Sequence, residues 1–148
     1  MSESVNNTNC WRDIVICLRQ IMRATDLHST QVKKACGLTL PQVMLLRSIS
    51  EQGDVSVRRL ARDISLSQAT VTTILDRLEE RELVERVRSL SDRRIVNARL
   101  TSEGEAMLAA APELLDERFM HRFAMLPEEE RLQLMRSLQQ IAALMGQE

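Results

Sequence analysis

At 148 residues the chain has room for one compact domain, or one domain with an oligomerisation extension. Aromatics make up 2% of it and only four Gly and three Pro occur, which argues for helices packed on helices through Leu, Ile, Val, Met and Ala and against a sandwich of sheets. The net charge of −1 hides a gradient: from Val55 to Leu100 ten arginines face seven acids, whereas from Thr101 onward nine acids face four arginines. The middle third is the basic part, and all its cations are Arg, the side chain best shaped for phosphate and guanine. Three cysteines at no metal-ligand spacing exclude a disulfide framework and fit a reducing compartment. No apolar run approaches the roughly 20 residues that span a bilayer. The polar start lacks a signal-peptide core, so a cytoplasmic protein with no membrane partner is expected.

Residues 1–10 read as disordered. From Trp11 to Cys36 runs a helical pattern without Pro or Gly, with Ile14, Cys17, Leu18, Ile21 and Met22 on one face, and Gly37 stops it. Thr39 and Gln42 form a capping box for a second helix carrying Val43, Leu46 and Ile49, which ends at Gln52-Gly53. Ser56 caps a short third helix with Val57, Leu60, Ala61 and Ile64 inward. Ser67 caps a fourth, with Val71, Ile74, Leu75 and Leu78 inward. Two such helices joined by a tight turn are the pattern of a helix-turn-helix.

After Glu82 the period changes. Leu83–Arg88 and Ile95–Leu100 read as a two-stranded hairpin with a basic tip between them, which must pack on the helices to be stable. Ser102 and Glu105 suggest a capping box opening a helix to about Phe123. Pro127 restarts a helix whose first turn holds Glu128, Glu129 and Glu130. Leu134, Leu138, Ile141 and Met145 then follow a short heptad seam. The expected organisation is mainly α: a winged helix-turn-helix over 38–101, with 11–37 and 102–146 as a helical homodimerisation region.

Two stretches carry a family resemblance. One is Leu60-Ala61 through Ser67-Gln68-Ala69-Thr70-Val71-Thr72 to Leu75-Asp76-Arg77-Leu78-Glu79 and Leu83-Val84. The other is Asp92-Arg93-Arg94 followed by Leu100-Thr101 and Gly104. Together they resemble the MarR family of bacterial regulators over roughly Trp11 to Met145. The resemblance implies a winged helix-turn-helix in a two-fold dimer on double-stranded DNA, typically a repressor, often released by small phenolic or lipophilic ligands. It makes the helix from Ser67 the recognition helix and Asp92–Arg94 the wing tip. This chain departs from the family pattern at Glu82, where Gly is usual, and at Ser89-Leu90-Ser91, where Pro is common.

With the apolar set inward, 100° per residue turns Ala69, Thr72, Thr73 and Asp76 outward and leaves Arg77 at the flank. Ser67, Gln68 and Thr70 sit at the helix start, where backbone N–H groups attract phosphate. Gln68 can pair with adenine, and the Thr72 and Ala69 methyls can touch thymine, so Gln68 and Thr72 lead for base readout. Arg93 or Arg94 is expected to enter a narrow minor groove, with Asp92 orienting one of them.

A ligand pocket, if present, belongs where the flanking helices meet the winged helix, with Arg23, Leu27, His28, Met44 and Phe119 as liners. A redox-sensing variant of the same fold would use Cys10 or Cys17, although the chain has no Tyr to assist a thiolate. A metal sensor is disfavoured with only His28 and His121 available. No Gly-rich phosphate loop or nucleophile elbow appears, so neither an enzyme nor a cofactor is expected. A helical interaction module that no longer reads DNA is the remaining alternative, and the basic wing argues against it.

Overall fold

The computed structural model describes residues 2–146, with side chains from Asn9 onward. The chain divides into two units, Met1–Leu114 and Leu115–Glu148. The division falls at Leu114, inside the stretch 102–146.

In the first unit, α1 spans Ser2–Cys36 and ends where Gly37 takes φ +73° and donates its N–H to Lys33 O at 2.8 Å. Nothing before Gly37 breaks the pattern, and the helix takes in Asn9 and Cys10, where disorder was expected; the side chains of residues 1–8 lie outside the described residues. α2 spans Leu40–Gln52. Its capping box is complete: Gln42 N donates to Thr39 Oγ1 at 3.3 Å, and Thr39 N donates to Gln42 Oε1 at 2.9 Å. A two-residue strand β1, Val55–Ser56, leads into α3, Val57–Asp63, capped by Ser56. α4 spans Gln68–Glu80 and is capped by Ser67. β2, Val84–Arg88, and β3, Val96–Leu100, follow.

The expected two-stranded hairpin is a three-stranded antiparallel sheet in the order β1-β3-β2, with Val55 opposite Ala98 and Arg86 also opposite Ala98. β1 is too short to show alternation, and Ser56 serves at once as strand residue and helix cap. The added strand ties the wing to α3, which answers the marginal stability of a lone hairpin.

The core unites one face of each element: Val32 from α1, Val43, Leu45, Leu46 and Ile49 from α2, Leu60 from α3, Val71, Leu75 and Leu78 from α4, and Val84 and Ala98 from the sheet. Two helix ends use non-glycine residues in left-handed geometry. At the turn between α3 and α4, Ser65 has φ +54°, with Leu66 N donating to Ala61 O at 2.9 Å. At the end of α4, Glu82 has φ +60°; its N–H reaches Glu79 O and that of Leu83 reaches Leu78 O, both at 2.9 Å. These paired bonds are a Schellman closure around a residue that carries a Cβ. Glu82→Gly is therefore expected to raise stability by about 1 kcal/mol, seen as a later denaturant midpoint with unchanged slope.

The helix expected from Ser102 to about Phe123 is two helices. α5 spans Ser102–Ala110 and is capped by Thr101 rather than Ser102, with Gly104 N donating to Thr101 Oγ1 at 3.0 Å. Pro112 has no N–H to continue the ladder and biases Ala111 to its extended geometry (φ −71°, ψ 143°). In the second unit, α6 spans Glu117–Ala124, capped by Asp116, and α7 spans Glu128–Met145. Phe119 and Phe123 stack there at 5.5 Å.

Candidate nucleic-acid interface

α3 and α4 bury their apolar faces in the core and leave the opposite face of α4 in solvent. Ser67, Gln68, Ala69, Thr70, Thr72, Thr73, Asp76 and Arg77 are all exposed. The start of α4 is set by Ser67, whose Oγ accepts from Thr70 N at 3.1 Å and pairs with Thr70 Oγ1 at 2.8 Å. Thr73 Oγ1 donates back to Ala69 O at 3.0 Å, which fixes its rotamer and points its methyl away from that carbonyl.

The wing is held against α4 by one residue that sequence reasoning left out of the site. Arg86 on β2 donates from Nη2 to Asp76 Oδ1 at 2.6 Å and from Nε to Glu79 Oε2 at 2.8 Å. Its bond to Glu79 is the main reason its guanidinium is held even more firmly charged than usual. The signal was available: Asp76 and Glu79 sit three apart on one helix face, and Arg86 follows at an alternate strand position. Just past the C-terminal end of α4, Arg81 Nη1 donates to Gly37 O at 3.1 Å and ties the helix to the end of α1.

The wing tip is built by side-chain bonds. Asp92 binds Arg94 three ways: Oδ1 accepts from the Arg94 backbone N at 3.0 Å and from Nε at 3.2 Å, and Oδ2 accepts from Nη2 at 3.3 Å. The Arg94 side chain remains 91% exposed, so the pair orients the cation without hiding it. Arg93 contributes its carbonyl to Arg88 Nη1 at 3.3 Å and leaves its own side chain in solvent. The side-chain and then the backbone bond to Arg94 hold the Asp92 carboxyl below its ordinary value. A carboxylate lowered in the folded state stabilises the fold above the ordinary value, and that contribution is lost as pH falls through the lowered one. By carboxyl-carbon NMR, Asp92 should titrate below the ordinary range and move up towards it in Arg94→Ala; an unchanged midpoint in the variant contradicts the pairing.

Between α4, the start of α3 and the wing lies a half-open concavity of about 620 Å³, lined by Ser56, Val57, Arg58, Gln68, Thr72, Arg86, Asp92, Arg94, Ile95 and Val96. Gln68 and Thr72 thus share one hollow with Asp92 and Arg94. Arg58 and Arg86 add two cations that the sequence did not single out. Ser67, Ala69, Thr70, Thr73, Arg77 and Arg93 lie outside its lining.

Four of the five expected pocket residues lie in the first unit, on α1 and α2. Arg23 and Leu27 line a groove along α1 of about 720 Å³, together with Val15, Leu18, Met22 and Asp26. His28 instead meets the α5–α6 linker, with Nε2 at 2.6 Å from Glu113 O. Met44 lies on α2 outside the groove, and Phe119 belongs to the second unit. Cys10 and Cys17 are exposed on α1, and Cys36 is half-buried. Among the described residues no three His, Cys, Asp or Glu side chains converge as metal ligands, and no helix is long and apolar enough to cross a membrane.

The order α2–β1–α3–α4–β2–β3, from Leu40 to Leu100, is that of a winged helix-turn-helix. Comparison with known proteins agrees. The sequence model of the MarR family matches residues 38–96. YsmB of Bacillus subtilis, an uncharacterized HTH-type transcriptional regulator, is 33% identical over 96 residues, 65% of this chain and 66% of that protein. The crystal structure of a MepR-like protein complexed with pseudoligands has TM-score 0.75 at 28% identity, covering 93% of this chain and 97% of that one. NadR in complex with 4-hydroxyphenylacetate has TM-score 0.68 at 30% identity, covering 87% and 92%. The chain belongs to the MarR family. It spans 58–66% of the length of the curated relatives it matches.

Proposed function

We propose that the protein is a homodimeric transcription regulator of the repressor type. It reads a palindromic site in double-stranded DNA, and a small phenolic or lipophilic effector releases it. The observation that carries this reading is the concavity in which Gln68 and Thr72 of α4 face the Asp92–Arg94 wing pair, with Arg58 and Arg86 beside them. An outward helix face with adaptable hydrogen-bonding side chains suits the major groove, and a projecting, oriented Arg suits the adjacent minor groove. Residues 38–101 bind DNA in this reading.

The regions 11–37 and 102–146 hold the two copies together. Outside the groove of Arg23 and Leu27, α1 exposes Trp11, Ile16 and Ile21, and α7 exposes Leu134, Leu138, Ile141, Leu144 and Met145. Apolar faces of this extent mark association surfaces. The effector class is supported by NadR, solved with a phenolic acid. In this chain the groove of Arg23 and Leu27 pairs an apolar wall with a guanidinium that could meet a carboxylate.

The test is fluorescence anisotropy on a labelled duplex across a salt series. Four or more phosphate contacts per dimer give a slope of log K on log salt steeper than about −3, at 0.9 per phosphate. Binding that is absent, or indifferent to salt, overturns the reading in favour of an interaction module.

A further inference from the structure

We infer that Leu90 at the wing tip is a DNA contact, packing against one deoxyribose wall of the minor groove that Arg94 enters from the other flank of the wing. This rests on the DNA-binding reading above. Leu90 is 104% exposed, whereas the next most exposed large apolar side chain among the described residues, Leu144, is at 79%. Single exposed leucines are ordinary. This one differs in where it stands.

It is not on the apolar face of a long helix that a second copy could cover, but at the end of a polar, cationic hairpin. The tip that carries it is held by several bonds. Ser89 N donates to Ile95 O at 2.8 Å, Ile95 N to Asp92 O at 3.0 Å, and Ser91 N to Ser89 Oγ at 3.3 Å; the Ser89 and Ser91 hydroxyls pair at 2.9 Å. Ser89 and Ser91 thus turn their polar atoms inward on the turn and leave Leu90 as the projecting group. The approach to the tip is thus ordered by hydroxyls.

The wing has two flanks. Arg94 lines the concavity on the side of α4. Leu90 lies on the other side, with Val87, Arg88, Asn97 and Arg99. A hairpin with a cation on one flank and an apolar group on the other fits a minor groove: the negative potential receives the Arg, and the C–H surfaces of the sugars receive the Leu. Arg88 and Arg99 share its flank with one acid, Asp54, and the exposed Arg93 and Arg94 belong to the same hairpin tip; this cationic setting commits the side chain to nucleic acid. The contact carries no charge, so its contribution is independent of salt, unlike that of Arg94.

The experiment uses the full chain and a duplex selected by the wild-type protein from a random-sequence pool. Leu90→Ser is expected to bind about ten-fold more weakly, the loss expected for most of one buried Leu side chain. Its salt slope should stay unchanged, and Leu90→Met should restore most of the affinity. Because Leu90 touches no core residue, both variants should melt as wild type. Leu90→Ser binding as tightly as wild type overturns the inference while leaving DNA binding intact. A Leu90→Ser loss that comes with a shallower salt slope also overturns it, since the side chain would then act only by positioning arginines. Failure of the wild type to bind any duplex overturns the functional reading and this inference together.

Discussion

Gly104→Ala should destabilise the protein by about 3 kcal/mol, the upper part of the range for forcing a methyl into packed structure. A Cβ on Gly104 would stand 2.0 Å from Leu83 O and 3.0 Å from Leu83 C, both backbone atoms. Neither can rotate aside. Leu83 O already accepts from Thr101 N at 3.1 Å, and Thr101 Oγ1 donates to Glu82 O, so the start of α5 is pinned to the turn that ends α4. Moving α5 away to admit the methyl would break those bonds and lift Met107 and Leu108 from the core they pack against. At fixed protein concentration the expected fall in Tm is on the order of 10 °C. A shift of a degree or two would mean that this junction is loose. The same contact explains the spacing of Leu100-Thr101 and Gly104: Thr caps the helix and Gly permits the close approach.

Arg94→Ala should weaken duplex binding by about 10- to 100-fold, the range for losing one charge-assisted contact. The salt slope should become shallower by about 0.9 for each copy of the side chain that meets phosphate. Dimer dissociation should be unchanged, because the Arg94 side chain pairs with Asp92 of its own wing and is 91% exposed. Arg94→Lys should recover only part of the loss, since an ammonium cannot keep the planar two-oxygen pairing with Asp92. Unchanged affinity in Arg94→Ala would remove the wing from the interface.

Much of the winged helix was legible in the chain because each helix announces its own start. Thr39, Ser56 and Ser67 each stand before an apolar set spaced for one face, and each accepts the bond expected of a cap. Elements without such local signals were harder to read. β1 has two residues and draws its partners from Asn97 and Ala98, more than 40 positions away. The break between α5 and α6 lies at Pro112, inside a stretch of alanines whose helix propensity suggests continuity. Within the candidate site, the outward face of α4 followed from periodicity alone. Arg58 and Arg86 did not, because their place in the concavity depends on how α3 and β2 pack against α4. The expected pocket residues rest on fold analogy, with no periodicity or spacing to constrain them. Of these, Arg23 and Leu27 line the groove along α1.

The departure at Glu82 shows what such a pattern does and does not enforce. The left-handed turn survives with a Cβ present because its two backbone bonds and the burial of Leu83 and Leu78 outweigh a local cost of about 1 kcal/mol. Ser65 does the same at the turn between α3 and α4, where Leu66 packs against the core.

Selection of duplexes from a random-sequence pool with the purified protein tests the central claim most directly. The account predicts enrichment of a palindrome whose half-sites lie about one helical turn apart, roughly 34–36 Å, as two recognition helices of a two-fold dimer require. Recovery of no enriched sequence at any salt, or of single half-sites without fixed spacing, would contradict it.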